Sequence, residues 1–254
     1  MKATHYTIST RAIGRSLCFA VVSDLPDDDP APILALLKQE KPDYILMPGD
    51  MFESLDQIDS EDHERGFFLM REAAAIAPCF YSIGNHENGG TGSWRPGWHK
   101  KQGKERAIAE ENRRRIADCG VTLLEDSFVL KDGMAFGGLS SGLSRDEHVP
   151  RLDWLSDFCA TDAPHILLCH HPEYYESYLC DHPLDLIVSG HAHGGQWRIF
   201  GRGVFAPGQG IFPKYTKGVY DGRLVVSTGV KKSERIPRIF NPTEVVFVHV
   251  NCVS

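Results

Sequence analysis

Gly190-His191-Ala192-His193-Gly194-Gly195-Gln196 sets two imidazoles one small residue apart, with glycine on either side. Imidazole is the commonest side-chain metal ligand at neutral pH, and glycines allow the sharp turn and open space that a bound ion needs. The weight of this pair comes from repetition elsewhere in the chain. Residues 184–189, which lead into it, are a short apolar run of the kind that makes a buried strand, and four other such runs end in similar chemistry. Residues 17–22 end at Ser23-Asp24, 44–47 at Pro48-Gly49-Asp50, 79–83 at Gly84-Asn85-His86-Glu87, and 166–169 at His170-His171-Pro172. Singly, each has a plain account: Asp24 or Asp50 as a helix cap, Gly84-Asn85 as a turn, His170 as a satisfied core histidine. Five such ends together point to one site. Buried carboxylates need partners, and a cation is one of the few that can hold several at once. In open α/β sheets ligands bind beyond the carboxyl ends of the strands. Asp24, Asp50, Asn85 with His86, His170, and His191 with His193 are therefore candidate metal ligands.

The elements that must position these groups follow from hydrophobic periodicity. An edge strand is expected near 4–10, then the run 17–22. Ile33, Leu34, Leu36 and Leu37 recur at helical spacing behind prolines that suit a first turn. A second helix over 67–75 closes at Pro78. Residues 88–101 form a glycine-rich loop carrying Trp94 and Trp98. A charged amphipathic helix is expected from Gly103 to Cys119, stopping at Gly120. Short strands follow near 121–124, 128–130 and 134–138, a helix near 152–158, an irregular Gly/Pro/aromatic segment over 199–220, and last strands near 224–227 and 245–250. No linker, repeat or low-complexity stretch divides residues 1–254, so one α/β domain is expected.

Composition narrows the class. A hydrophobic content of 42% and a charged content of 24% are ordinary for a globular protein. The formal charge of −7 argues against a general nucleic-acid or anionic-membrane surface, which would need a basic face. No apolar run is long enough to cross a bilayer, and the first residues lack the layout of a secretory signal. Seven scattered cysteines with no C-x-x-C pair point to a reduced, cytoplasmic protein.

Gly49-Asp50, Gly84-Asn85-His86-Glu87, His170-x-Pro172 and Gly190-His191-Ala192-His193 resemble, in order and spacing, the motifs of the calcineurin-like metallophosphoesterases. The tail, from Gly194-Gly195-Gln196 through Phe212-Pro213-Lys214-Tyr215 to Gly218-Val219-Tyr220, looks like the branch that includes bacterial YkuE-type phosphoesterases. The resemblance runs from about Ser23 onward. It implies a four-layer α-β-β-α sandwich of two mixed β-sheets flanked by helices, the metallo-dependent phosphatase fold. It also implies two divalent ions of the manganese, iron or zinc class. Asp50 would bridge them, Asn85, His170 and His191 would complete one, and Asp24 and His193 would serve the other. His86 would bind no metal; it would stabilise the phosphate or protonate the leaving oxygen. Two cations about 3.5–4 Å apart would neutralise the phosphate of a small phosphomonoester or phosphodiester and generate a metal-activated hydroxide for in-line attack. Aromatics in the long loops (Trp94, Trp98, Phe205, Phe212, Tyr215) could stack on a nucleotide base, contact a lipid-linked acyl chain, or simply pack the loops down.

One position departs from the family pattern. The first motif is Asp-x-His, and here it reads Asp24-Leu25-Pro26, so one ion loses an imidazole. Asp27, Asp28 or Asp29 could substitute, or water could, or the three could form an acidic turn capping the next helix. The loss also opens a second reading: a scaffold or regulatory protein that keeps the fold and has lost catalysis. The intact Asn85-His86 pair opposes it. The ion at Asp24, Asp50 and His193 is then the weaker of the two and prefers Mn²⁺ or Mg²⁺ over Zn²⁺. Titration calorimetry on metal-stripped protein should show one tight and one weaker ion, with the weaker tightened by Pro26→His. Two equal affinities unchanged by that substitution would mean another group already fills the place.

Overall fold

The computed structural model describes residues 1–10, 12–25, 29–52, 61–87, 108–141, 149–232 and 237–252. In chain order the first strands are β1 (Lys2–Thr10), β2 (Leu17–Val21), β3 (Tyr44–Pro48), β4 (Cys79–Ser82) and β5 (Val121–Leu124). Next come β6 (Ser127–Lys131), β7 (Met134–Leu139), β8 (His165–Cys169) and β9 (Leu186–Ser189). Four two-residue strands follow: β10 (Arg198–Ile199), β11 (Arg202–Gly203), β12 (Phe205–Ala206) and β13 (Gly210–Ile211). The last are β14 (Gly218–Tyr220), β15 (Leu224–Val226) and β16 (Glu244–Cys252). The α-helices are α1 (Ala31–Glu40), α2 (Glu61–Ala74), α3 (Glu110–Asp118) and α4 (Leu155–Cys159).

Two six-stranded sheets result, ordered β1-β16-β2-β3-β4-β5 and β14-β15-β9-β8-β7-β6. Both are mixed. In the first, β2, β3, β4 and β5 run parallel, while β16 lies antiparallel to β2 and parallel to β1. In the second, β15, β9, β8 and β7 are parallel, with antiparallel β14 and β6 at the edges.

Side-chain alternation explains why the central strands read as unbroken apolar runs: both faces of each are covered. Phe19, Leu46 and Phe80 point between the sheets, against Phe136, Ile166, Leu168 and Val188 of the other sheet. Their neighbours Ala20, Ile45 and Tyr81 point outward, into a layer with Ile33 and Leu37 of α1 and Leu69 and Met70 of α2. On the far side Ala135, Leu167 and Ile187 point out against Leu155 and Phe158 of α4. The sequence of layers is α-β-β-α. The Phe80 and Phe136 rings stack across the centre with centroids 4.0 Å apart and planes 7° from parallel.

Two expectations need correction. The charged helix begins at Glu110: Ile108 is buried, and Ala109 takes an extended ψ of 136°, so Ile108 and Ala109 are not helical. Residues 103–107 of that expectation, and the loop with Trp94 and Trp98, lie outside the described residues. The segment 199–220, expected to be irregular, is tied up by the hairpins β10–β11 and β12–β13. In it Tyr215 is buried, Phe205 half-buried and Phe212 exposed. Among the described residues no helix is long and apolar enough to cross a membrane.

The inter-sheet stack gives a direct test. Phe136→Ala should lower the free energy of unfolding by about 3–5 kcal/mol, read as a lower urea midpoint with little change in slope. Equal midpoints for the two proteins would mean that the ring does not hold the sheets together.

Candidate metal centre

Because β2, β3 and β4 are parallel neighbours, Asp24, Asp50 and Asn85 follow their carboxyl ends on one rim of the first sheet. β8 and β9 are parallel neighbours in the second sheet and deliver His170, His191 and His193 to the same rim. Asp50, His170 and His191 bring one ligand atom each within 4.8 Å of one another. Asp24 Oδ1 lies 3.3 Å from His193 Nε2 and accepts the His191 amide at 3.1 Å. The two halves are joined through the backbone, since Leu25 N donates to Asp50 O at 2.8 Å.

Several strand ends turn in the left-handed region. Asp24, Asp50, His191 and His193 have φ of 58°, 53°, 62° and 45°. Side chains other than glycine rarely accept this, and strain of this kind concentrates at functional sites. Space behind the carboxylates is made by glycine. A Cβ on Gly84 would stand 2.2 Å from Asp50 Oδ1, and one on Gly190 would stand 2.5 Å from Asp24 Oδ2.

His170 shows why the geometry suits a cation. Its Nδ1 lies 2.7 Å from the Pro48 carbonyl, which can only accept, so Nδ1 carries the proton. Its Nε2 stands 3.0 Å from Asp50 Oδ2, without hydrogen-bond alignment, and offers a lone pair there whenever the ring is neutral. Two lone pairs at that distance require a proton or a metal between them. Asp24 Oδ2 and Asn85 Oδ1 are likewise buried polar atoms with no hydrogen-bond partner among the described residues. Orphaned acceptors of this sort are rare in native interiors, and these three belong to residues at the ends of β2, β4 and β8. A mixed nitrogen and oxygen donor set of two carboxylates, an amide and three imidazoles fits first-row divalent ions.

Electrostatics agree with the burial. Burial alone would raise the Asp50 carboxyl, but His170, then His86 and His191, hold it well below the usual carboxylate range. Burial also opposes charge on His170, yet Asp50 and then Asp24 push it up to about 10. Burial, followed by the neighbouring His171, holds His191 well below the ordinary imidazole value. His86 sits at the mouth of the site. Its side chain is 22% exposed, its amide donates to Asp50 Oδ1 at 2.9 Å, and its Nε2 stands 3.6 Å from Asp50 Oδ2.

Other site residues carried no assigned role in the sequence reading. Glu87 is fully buried. Its Oε1 accepts the amides of Met51 (2.6 Å) and Phe52 (3.1 Å), and its Oε2 those of Asp50 (3.0 Å) and Gly84 (2.9 Å). One carboxylate thus ties the loop after β3 to the loop after β4; burial and the Asp50 charge push it up to about 7. His171, Glu173 and His191 make a second close group. His171 Nδ1 meets Glu173 Oε1 at 3.1 Å and its Nε2 meets the Ser141 hydroxyl, so both of its nitrogens are engaged. Arg238 Nη2 lies 3.3 Å from His193 Nδ1, and Asn241 Nδ2 donates to His193 O at 2.6 Å. For Glu87, His171 and Glu173 the only sequence signal is an ionisable group in or beside a motif, and Arg238 and Asn241 lie far from every motif. Asp29, one of the acidic residues weighed as a replacement ligand, accepts the Ala31 amide at 3.0 Å at the start of α1. Pro26, Asp27 and Asp28 lie outside the described residues.

A family model described as calcineurin-like phosphoesterase matches residues 18–195. A Caenorhabditis elegans protein named as a metallophosphoesterase is 25% identical over 232 residues, which is 86% of this chain and 44% of that protein. A Campylobacter jejuni metallophosphoesterase is 26% identical over 86% of this chain and 53% of its own length. For YkuE, a Bacillus subtilis metallophosphoesterase, the figures are 26%, 76% and 61%. The chain thus spans about half the length of the curated relatives it matches. The crystal structure of TT1561 from Thermus thermophilus aligns with a TM-score of 0.45 at 15% identity, covering 68% of this chain and 81% of that one.

Glu87→Gln tests the knot beneath the site. An amide cannot accept at both ends, so two of the four amides lose their partner, at about 1–3 kcal/mol each. Metal-free Glu87→Gln should melt lower than metal-free wild type by roughly 4–12 °C. Coincident melting curves would show that the carboxylate does not hold the loops together.

Proposed function

This chain belongs to the calcineurin-like phosphoesterase family, and from that premise we propose that it hydrolyses small phosphomonoesters or phosphodiesters at a centre of two divalent ions. The observation that carries this reading is the convergence of Asp50, His170 and His191, with the Asp24–His193 pair at the same rim and with buried acceptors on Asp24, Asn85 and His170 that have no partner among the described residues. Asp50, Asn85, His170 and His191 would hold one ion, and Asp24, Asp50 and His193 the other. Manganese, iron or zinc all suit the donors. When bound, the ions supply positive charge to the phosphate oxygens and make a water acidic enough to attack phosphorus.

The protein's own contribution is position and protons. The Nδ1–H bond from His170 to Pro48 fixes which nitrogen faces the site. His171 and Glu173 are props for His191, and Arg238 and Asn241 hold the His193 turn. His86 is the one imidazole of the set at the mouth, beside Asp50 and partly open to solvent. A water that has already given one proton to solvent forms the new bond to phosphorus as hydroxide, and as the P–O bond to the leaving group breaks, the His86 Nε2 proton goes to the departing alkoxide oxygen. The inter-sheet core, shared by strands from both halves of the chain, supports one domain. Seven free cysteines support a reducing, cytoplasmic setting. The competing reading, an inactive scaffold, rests on Pro26.

Metal content and turnover measured together separate these. His86→Ala should keep wild-type metal and lose turnover about 10²-fold or more, less for esters with good leaving groups. Asp50→Ala should lose both. Equal metal in Asp50→Ala and wild type would remove the ligand assignment, and unchanged turnover in His86→Ala would remove the proton donor.

A further inference from the structure

Eleven large hydrophobic residues stand exposed among those described, and seven of them lie on three adjoining segments beside the site loop. Trp197, Ile199 and Phe200 belong to the β10–β11 hairpin. Ile211 and Phe212 end the β12–β13 hairpin, and Ile239 with Phe240 pairs alongside Trp197. The segments are tied together by Arg198 N donating to Ile239 O at 3.0 Å and Phe212 N to Val204 O at 2.9 Å. They are also tied to the histidine loop, by Val204 N to Gly195 O at 3.1 Å.

Three of these residues are phenylalanines in the left-handed region. Phe200, Phe212 and Phe240 have φ of 49°, 53° and 52° and are 102%, 75% and 85% exposed. At the β10–β11 turn, Phe200 and Gly201 both have positive φ, the pattern that favours Asn-Gly. A bulky ring there is strained by the backbone and stranded in water. Neither turn chemistry nor the core asks for it.

The same face is cationic. From 186 to 220, 35 residues, the chain has no Asp or Glu, although 34 of its 254 residues are acidic. Arg198, Arg202, Lys214, Lys217 and Phe212 line a cavity of about 450 Å³, and no acid among the described residues lines it. Lys217 is committed to the buried Glu244, and Arg198 to the Gly194 carbonyl at 2.8 Å. Arg202 is exposed at the hairpin, and the Lys214 pair with Glu176 is open to solvent, so both can turn to an outside anion.

We propose that this face docks on an anionic lipid bilayer, the phenylalanine and isoleucine tips entering the headgroup boundary while Arg202 and Lys214 meet lipid phosphates. Apolar tips beside an exposed arginine and lysine, with a partly exposed tryptophan on the same hairpin, are the chemistry of interfacial association. A second copy of the chain is disfavoured by symmetry: a two-fold contact through this face would set its cations against themselves. The inference goes beyond phosphoester hydrolysis and does not depend on it.

Flotation of the full chain with phosphatidylcholine vesicles, with and without phosphatidylglycerol, tests it. Wild type should float with the mixed vesicles, less so at high salt. Phe200→Gly/Phe240→Gly should bind at least about 10-fold more weakly, and because glycine suits those backbones it should melt no lower than wild type. Arg202→Glu/Lys214→Glu should lose the preference for phosphatidylglycerol. Absence of wild-type flotation, or equal flotation of wild type and the glycine variant, would overturn the proposal. So would a wild-type dimer that the glycine variant dissolves with no vesicle binding by either protein, which would assign the face to self-association.

Discussion

Two aspartates, Asp24 and Asp50, are buried where the carboxyl ends of two sheets meet, and much of the local structure answers to the cost of keeping them there. His170 and His193 stand against their carboxylates, the His86 and His191 amides donate to them, and glycines stand where any Cβ would collide. These compensations leave some acceptors unanswered. That residue of unsatisfied polarity distinguishes a place prepared for a cation from an ordinary buried ion pair, which would be closed by its own hydrogen bonds.

Precision of this kind is carried by the sandwich. The strands that deliver ligands are central and covered on both faces, so their ends cannot drift without disturbing an inter-sheet core of interlocking rings. Register works to the same end. Pro48 pairs with Ser82 at the last rung before the loops, and Glu87 then collects amides from both loops. Left-handed ligand residues become tolerable in this setting, because the strands before them and the hydrogen bonds after them over-determine the path.

Much of this was legible in the sequence, for a definite reason. Strands buried on both faces show as continuous apolar runs, and ligand chemistry shows as residue type, so runs ending in Asp, Asn or His announce both sheet and site. What escaped was information that residue type does not carry. Glu87 matters because four backbone amides point at it, and amides are the same in every sequence. His171 and Glu173 matter through the orientation of a neighbour. The charge pattern continues past the place where Ala109 leaves helical geometry, so it marks a longer helix than the one at 110–118. The hairpins of 198–211 are two residues per strand, too short for any period to register. Net charge hid the most local feature of all: −7 is an average over the whole surface, and it concealed an acid-free stretch of 35 residues.

The placement of β16 bears on how the chain reaches this state. It lies between β1 and β2, so the first sheet stays split until the strand from residue 244 has been made, some 220 residues after β2. Until then the backbone edges of β1 and of apolar β2 lack the strand that joins them, open to pairing with other chains. Closure also demands a loop spanning most of the sequence, the kind of long-range contact that slows folding. On the ribosome the ligand strands β2, β3, β4, β8 and β9 emerge before the strand that locks β2 in place. Biogenesis should therefore be governed by one late insertion step, and chaperone dependence should be decided at the β1–β16–β2 seam.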